Sequence, residues 1–159
     1  MNLRKVFYLT KEKLKELKQE YDRLVKHERT TIMGHETPKI LESEDINPEF
    51  ISFQEDMESV RGRIDELKNI LDHHEVIGNS KKGKAVLVDV GAKVTVEFGG
   101  KENHFMIVGT LEANPNEGRI SNESPMGAAL LGHKVGDEVV VKAQNNLKCK
   151  IKNISYEVA

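Results

Sequence analysis

Two stretches of this sequence repeat apolar residues at alternating steps of three and four, and nothing else in it constrains the fold as tightly. Leu14, Leu17, Tyr21 and Leu24 form the first; Phe50, Phe53, Met57, Val60, Ile64, Leu67 and Leu71 form the second. On a helix this spacing draws a heptad seam, too narrow to lie on a large core and suited to one partner helix. Two seams in succession predict an antiparallel hairpin. Facing Leu14 with Leu71, Leu17 with Leu67, Tyr21 with Ile64 and Leu24 with Val60 centres the turn near residues 42 and 43, within Leu41 to Ile46. Thr10 can cap the first helix, with Glu12 at its positive end; Asn47-Pro48-Glu49 supplies a cap, a proline at the first helical position and a first-turn acid for the second. A helix from Pro48 to about His73 would be about 39 Å long at 1.5 Å per residue, an arm and not a packed bundle. Gly34 and Thr37-Pro38 predict a break in the first helix, followed by a short turn carrying Ile40 and Leu41.

From Ala85 onward the period changes. Ala85 to Val90, Lys93 to Phe98, Phe105 to Gly109, Glu138 to Lys142 and Leu147 to Val158 are rich in valine and isoleucine and read as strands. Gly99-Gly100 and Asn145-Asn146 are hairpin-turn candidates. Ser124-Pro125 opens a run, Met126 to Leu131, too poor in β-branched residues for a strand, so it reads as a short capped helix ended by Gly132. The sequence therefore predicts an α+β chain: an N-terminal antiparallel coiled-coil hairpin over 1–77, a glycine- and lysine-rich linker over 78–84, and a small antiparallel β-rich domain with one short helix over 85–159.

Charge and cysteine content narrow the function. With a formal net charge of -2, the chain is a poor fit to a protein that grips nucleic acid through a basic surface. Its single cysteine, Cys149, allows no internal disulfide and fits a reducing cytosol. The apolar run after Met1 is too short for a signal peptide, and charges interrupt every longer run, so no membrane segment is expected and the location is read as cytoplasmic. A monomer is expected, and a purely structural coiled-coil protein is disfavoured, since two short antiparallel seams give no long oligomeric rod.

Several polar residues have ordinary explanations. His73-His74 suits the negative end of the second helix. His35 and Glu36 read as surface residues beside the break, and Lys11, Lys13, Lys15 and Lys18 as a solvated helix face. Cys149 alternates with Leu147 and Ile151 on a strand face and reads as core. Asp137 reads as a turn residue.

Ile120-Ser-Asn-Glu-Ser-Pro-Met-Gly-Ala-Ala-Leu-Leu-Gly-His-Lys-Val-Gly-Asp-Glu-Val139 resembles the Gre transcript-cleavage factors, which carry an S-P-[LIM]-G-x-A-L-L-G core followed by K-x-G-D-x-V. Gly91-Ala-Lys-Val-Thr-Val96 and Ile107-Val-Gly-Thr-Leu-Glu-Ala113 look like strands of that family, and Gly62-Arg63-Ile64 like a segment of its second helix. The resemblance implies a coiled coil joined to a C-terminal domain similar to FK506-binding proteins. It implies a partner, bacterial RNA polymerase, with that domain on the rim of the secondary channel and the arm inside. Acids at the tip of the arm then help hold a catalytic Mg2+ that belongs to the polymerase active site, and the 3' end of backtracked RNA is hydrolysed there. The protein itself would be no enzyme and would bind no cofactor alone. The docking residues implied are Ser121, Asn122, Glu123, Ser124, Pro125 and Gly127, a rigid loop on a β scaffold being a natural docking surface.

The family's tip reads G-D-L-S-E-N-A-E-Y; here the stretch is Glu42-Ser43-Glu44-Asp45-Ile46-Asn47-Pro48-Glu49-Phe50. Anchoring on Glu49-Phe50 puts Ser43 and Ile46 where the family has its two functional acids. Anchoring on Asp45-Ile46 keeps one acid and requires a deletion before Pro48. Between Glu36 and Glu58 stand eight acids (Glu36, Glu42, Glu44, Asp45, Glu49, Glu55, Asp56, Glu58) against one base, Lys39. Hard cations such as Mg2+ take carboxylate oxygens together with water and substrate phosphate. Glu42, Glu44, Asp45 and Glu49 are therefore the candidate ligands, with Glu44 and Asp45 the carboxylates expected to act. Glu55, Asp56 and Glu58 read as a solvated face. Two functions stay open: stimulation of cleavage, and a non-cleaving regulator or inhibitor that occupies the same channel. A prolyl isomerase is disfavoured, since the C-terminal half offers only Phe98, Phe105 and Tyr156 to line a pocket.

Overall fold

The computed structural model describes residues 5–34, 47–77, 87–143 and 145–156. It divides the chain into two units, Leu14–His73 and a second made of Met1–Lys13 with His74–Ala159. The boundary expected at residue 77 differs from this division, for a reason given by backbone pairing. A short strand β1 (Phe7–Leu9) stands before helix α1 (Lys11–Met33), and a matching β2 (His74–Val76) follows helix α2 (Pro48–Asp72). The two strands pair in parallel, Phe7 opposite His74 and Leu9 opposite Val76, and the Ile77 N–H continues the ladder to the Leu9 carbonyl at 2.7 Å. Leu9 is fully buried. The expected linker, 78–84, lies outside the described residues.

In the helical unit, Leu17, Met57 and Leu67 are buried, and the remaining seam positions Leu14, Tyr21, Leu24, Phe50, Phe53, Val60, Ile64 and Leu71 are half-buried. The direction of pairing follows from two ion pairs. Arg61 reaches Glu28 at 2.7 Å, and Arg63, further along α2, reaches Glu20, earlier on α1, at 2.7 Å, so the helices run antiparallel. The seam continues beyond Leu24 through Glu28 to the buried Thr31, where it turns polar. Both caps form: the Lys13 N–H donates to the Thr10 hydroxyl at 3.2 Å, and the Glu49 N–H to the Asn47 side chain at 3.0 Å. Arg63 is a fork, its Nε and Nη2 donating to the two oxygens of Glu20 and its Nη1 to Glu66. Because this guanidinium is 40% exposed, water screens the pair. Arg63→Lys, which keeps the charge and loses the fork, is expected to cost less than about 1 kcal/mol in urea unfolding, and the cost should shrink with added salt.

The other unit is built on a five-stranded sheet. Its strands are β3 (Ala92–Phe98), β4 (Lys101–Val108), β5 (Arg119–Ser121), β6 (Glu138–Val141) and β7 (Leu147–Tyr156), in the order β5-β4-β3-β7-β6. All neighbours are antiparallel except β5, which runs parallel to β4. Gly99 and Gly100 turn β3 into β4 with φ of 58° and 74°, the pair of left-handed residues that a two-residue hairpin turn demands. Val94, Val96, Ile107, Val139, Val141, Cys149, Ile151 and Ile154 meet Leu130 of helix α3 (Pro125–Leu130) in one core. On β7 the inward face shifts from Cys149 and Ile151 to Ile154, because a bulge opposite Thr95 and Val96 inserts one residue, Lys152. Lys152 pairs there with Glu97.

The strand expected over Ala85 to Val90 does not form in its described part. Leu87 to Val90 is a loop, because its backbone bonds are taken elsewhere: Val88 exchanges bonds with His133 and Gly132. The Tyr156 hydroxyl donates to the Leu87 carbonyl at 2.7 Å and accepts from the Asp89 N–H at 3.0 Å.

A pinned loop and an acidic hairpin end

The segment between β5 and α3 is held from every side. Pairing of β5 with β4 sets Ser121 opposite Val108, and the Asn122 N–H extends that ladder to the Val108 carbonyl at 2.9 Å. The Ser121 carbonyl accepts from the Ser124 N–H at 3.0 Å and the Ser124 hydroxyl at 2.6 Å. Ser124 Oγ in turn accepts from the Gly127 N–H at 3.0 Å, capping α3 just before Pro125. The Ser121 hydroxyl accepts from the Glu123 N–H at 3.1 Å and lies 3.1 Å from the Thr110 hydroxyl. Thr110 also donates to the Glu123 carboxylate at 3.0 Å, and Lys5 stands 3.4 Å from it.

These bonds engage the side chains of Ser121, Glu123 and Ser124, and leave Glu123 and Pro125 exposed. Gly127, expected among the docking residues, is buried. A Cβ there would lie 2.0 Å from the Ser121 carbonyl oxygen, so its part is to let α3 start directly beneath the loop. Lys5 and Thr110 complete the network and were not among the expected residues. Their contacts cross long stretches of chain, for which the sequence carries no local sign.

The other expected site divides at the limit of the described residues. Glu42, Glu44 and Asp45 lie outside them, as do Ser43 and Ile46. Glu49 is described: it is exposed in the first turn of α2, where its charge complements the helix dipole. Glu55, Asp56 and Glu58 are exposed on the same helix. Among the described residues, no three His, Cys, Asp or Glu side chains come together in a way that could hold a metal ion.

Among the described residues, His73, His74, Cys149 and Asp137 keep their ordinary explanations, while His35 and Glu36 lie outside the described residues. His73 caps α2 with its ring Nδ1 2.9 Å from the Asn69 carbonyl, and His74 opens β2. Burial pushes the Cys149 thiol up, which suits an inert core residue. The Lys134 N–H, bonded at 3.0 Å, holds the Asp137 carboxyl below its usual range and keeps the turn before β6 closed, with the His133 ring also near. Among the described residues no helix is long and apolar enough to cross a membrane.

Against known proteins, residues 84–156 match the family model described as "Transcription elongation factor, GreA/GreB, C-term". The transcription elongation factor GreA of Thermomicrobium roseum is 40% identical over 139 residues, covering 86% of this chain and 88% of its own. That of Clostridium acetobutylicum is 38% identical over 155 residues, covering 92% and 94%. Among solved structures, GreA factor homolog 1 of Thermus thermophilus aligns over 95% of this chain and 99% of its own, with 26% identity and a TM-score of 0.41. Identity at this level over 86% and 92% of the chain shows that it belongs to the GreA/GreB family of transcription elongation factors.

Proposed function

We propose that this elongation factor binds bacterial RNA polymerase through the Ser121–Pro125 loop at the rim of the secondary channel. It inserts the acidic end of its hairpin and stimulates cleavage of backtracked RNA by the polymerase's own active site. The observation that carries the docking half is the pinned loop: Ser121 and Ser124 tie it to the start of α3 and Thr110 ties it to the sheet side, so Pro125 stands exposed on a braced platform with little ordering cost on binding. For the cleavage half, support comes from the eight-to-one excess of acids over bases between Glu36 and Glu58. When bound, Mg2+ would activate the attacking water and stabilise the leaving oxygen. Glu42, Glu44, Asp45 and Glu49 supply oxygen ligands toward it, the ion being shared with the polymerase and not resident in the factor. The factor acts as a monomer in the cytoplasm and touches the RNA 3' end only indirectly.

One observation favours a second reading. In the alignment anchored on Glu49-Phe50, Ser43 and Ile46 take the positions of the family's two acids, and the factor would then occupy the channel without stimulating cleavage. The two readings separate when purified protein meets a backtracked elongation complex: released RNA fragment supports the first, binding without fragment the second.

Docking is tested independently. Pro125→Glu places a charge on the exposed platform and is expected to weaken polymerase binding by about 2 kcal/mol, the cost of a hot-spot contact. Circular dichroism should stay native, because proline at the first helical turn is replaceable there. Undiminished binding by the folded variant removes this loop from the interface.

A further inference from the structure

The one-turn 3-10 helix Thr110–Glu112 is locked against the N-terminal strand at both of its ends. Gly109, just before the turn, lies so close to Tyr8 that a Cβ would stand 1.9 Å from the Tyr8 carbonyl oxygen. At the other end the Glu112 side chain, only 5% exposed, accepts from the Thr10 N–H at 2.8 Å and from the Thr10 hydroxyl at 2.7 Å. Between these two fixed points stands Leu111, 40% exposed. Beside it a cleft is lined by Lys5 to Tyr8, by Thr110 and Leu111, and by Asn122 of the Ser121–Pro125 loop. The cleft has room for about one water, which is too little for a small-molecule ligand. What it offers is its rim. Val6 is 37% exposed there, and Lys5, its ammonium 5.7 Å from the centre of the Phe7 ring, keeps more than half of its side chain in solvent.

Single exposed apolar side chains are ordinary on a protein surface, whereas a pair sharing one cleft beside a braced loop has the pattern of a contact surface. Two links make the cleft continuous with that loop. Asn122 belongs to both, its N–H held by the Val108 carbonyl at 2.9 Å. Thr110, next to Leu111, donates to Glu123 and meets the Ser121 hydroxyl. We propose that the polymerase-binding surface runs from the Ser121–Pro125 loop across this cleft, with Val6 and Leu111 meeting apolar side chains of bacterial RNA polymerase and Lys5 an acidic one beside them. The inference rests on the docking reading above and lies within one unit, Met1–Lys13 with His74–Ala159. An apolar pair flanked by Lys5 and Glu123 has the layout of a protein contact, apolar inside and charged at the rim. Lys5 stands 3.4 Å from Glu123, and an ammonium has three donors, so it retains capacity for a second carboxylate. Because the Tyr8 backbone and the Thr10–Glu112 bonds already fix both walls, little ordering is lost when the partner arrives.

The test titrates full-length wild type, Val6→Asp, Leu111→Asp, Leu111→Met, Lys5→Gln and Pro125→Glu against purified bacterial RNA polymerase and reads the dissociation constant. Val6→Asp and Leu111→Asp should each weaken binding by about tenfold or more, since each drives a charge into an apolar contact. Leu111→Met keeps the apolar contact and should stay within about twofold of wild type. Lys5→Gln should weaken binding by about threefold at low salt, the difference closing as salt rises. Thr110 still holds Glu123 in that variant, so the loop keeps its support. Urea midpoints should stay near wild type, because the substituted side chains are exposed. If one aspartate variant unfolds, the other and Lys5→Gln still decide the matter. Wild-type affinity in both aspartate variants, beside weak binding by Pro125→Glu, overturns the inference and leaves the docking reading standing. Full affinity in every variant defeats the docking reading and the inference together. Weak binding by the aspartate variants with Pro125→Glu at full affinity breaks the continuity with the loop and overturns the inference too. So does a wild-type dimer in sedimentation that either aspartate converts to monomer, since this face would then meet a second copy of the chain.

Discussion

Converting Glu44 and Asp45 together to Gln and Asn is expected to abolish stimulated cleavage while polymerase binding persists. The substitutions preserve shape and polarity and remove two negative charges from a stretch holding eight acids and one base. A hard divalent cation discriminates sharply between a carboxylate and an amide, so the loss falls on metal affinity and not on the fold. Binding should survive because the proposed docking residues, Ser121 to Pro125, lie in the other unit. Raised Mg2+ should restore part of the activity, since mass action can replace ligand affinity for an ion that is shared and not resident. Fragment release by the double variant at the wild-type rate would free Glu44 and Asp45 from any role. The work would then pass to Glu42 and Glu49.

The second large effect concerns the fold. Gly109→Ala is expected to destabilise the sheet-bearing unit by about 3 kcal/mol, in the range of severe overpacking. Backbone conformation is not the obstacle, since φ is -68° and ψ 159°, values open to any residue. Space is: the added methyl would meet the Tyr8 carbonyl oxygen at 1.9 Å, and that oxygen is main chain in a strand paired with β2. It has no rotamer to move into, so either β1 or the Thr110–Glu112 turn must shift. Gly62→Ala is the control. It lies inside α2 with nothing within 4 Å of the new Cβ, and should stabilise by about 1 kcal/mol through helix propensity. Urea midpoints moving in opposite directions for the two alanines would support this account of packing; equal shifts would contradict it.

The elements that the sequence revealed are those whose signal is local. Each seam residue repeats within one turn of the next, and the caps at Thr10, Asn47 and Ser124 are read from neighbours within three positions. Gly99-Gly100 announces its own turn. What escaped was non-local. β1, β2 and β5 have three residues each, too few to show alternation, and both of their pairings are parallel, joining segments distant in sequence. Leu87 to Val90 has the composition of a strand, yet its hydrogen bonds go to Gly132, His133 and the Tyr156 hydroxyl. The loop proposed for docking was legible as a motif, while its support was not: the burial of Gly127 is invisible in a linear pattern. Glu112 stands in the family-like run Ile107 to Ala113, yet its bonds to Thr10 join residues 102 positions apart and left no local sign.

The most direct measurement is one titration of wild-type protein into a backtracked elongation complex carrying end-labelled RNA, with bound factor and released fragment followed together. The account predicts that fragment appears in proportion to occupancy, that it depends on Mg2+, and that its rate saturates when binding does. Full occupancy with no fragment, accompanied by slowed elongation, would contradict it and leave a factor that fills the channel without promoting cleavage.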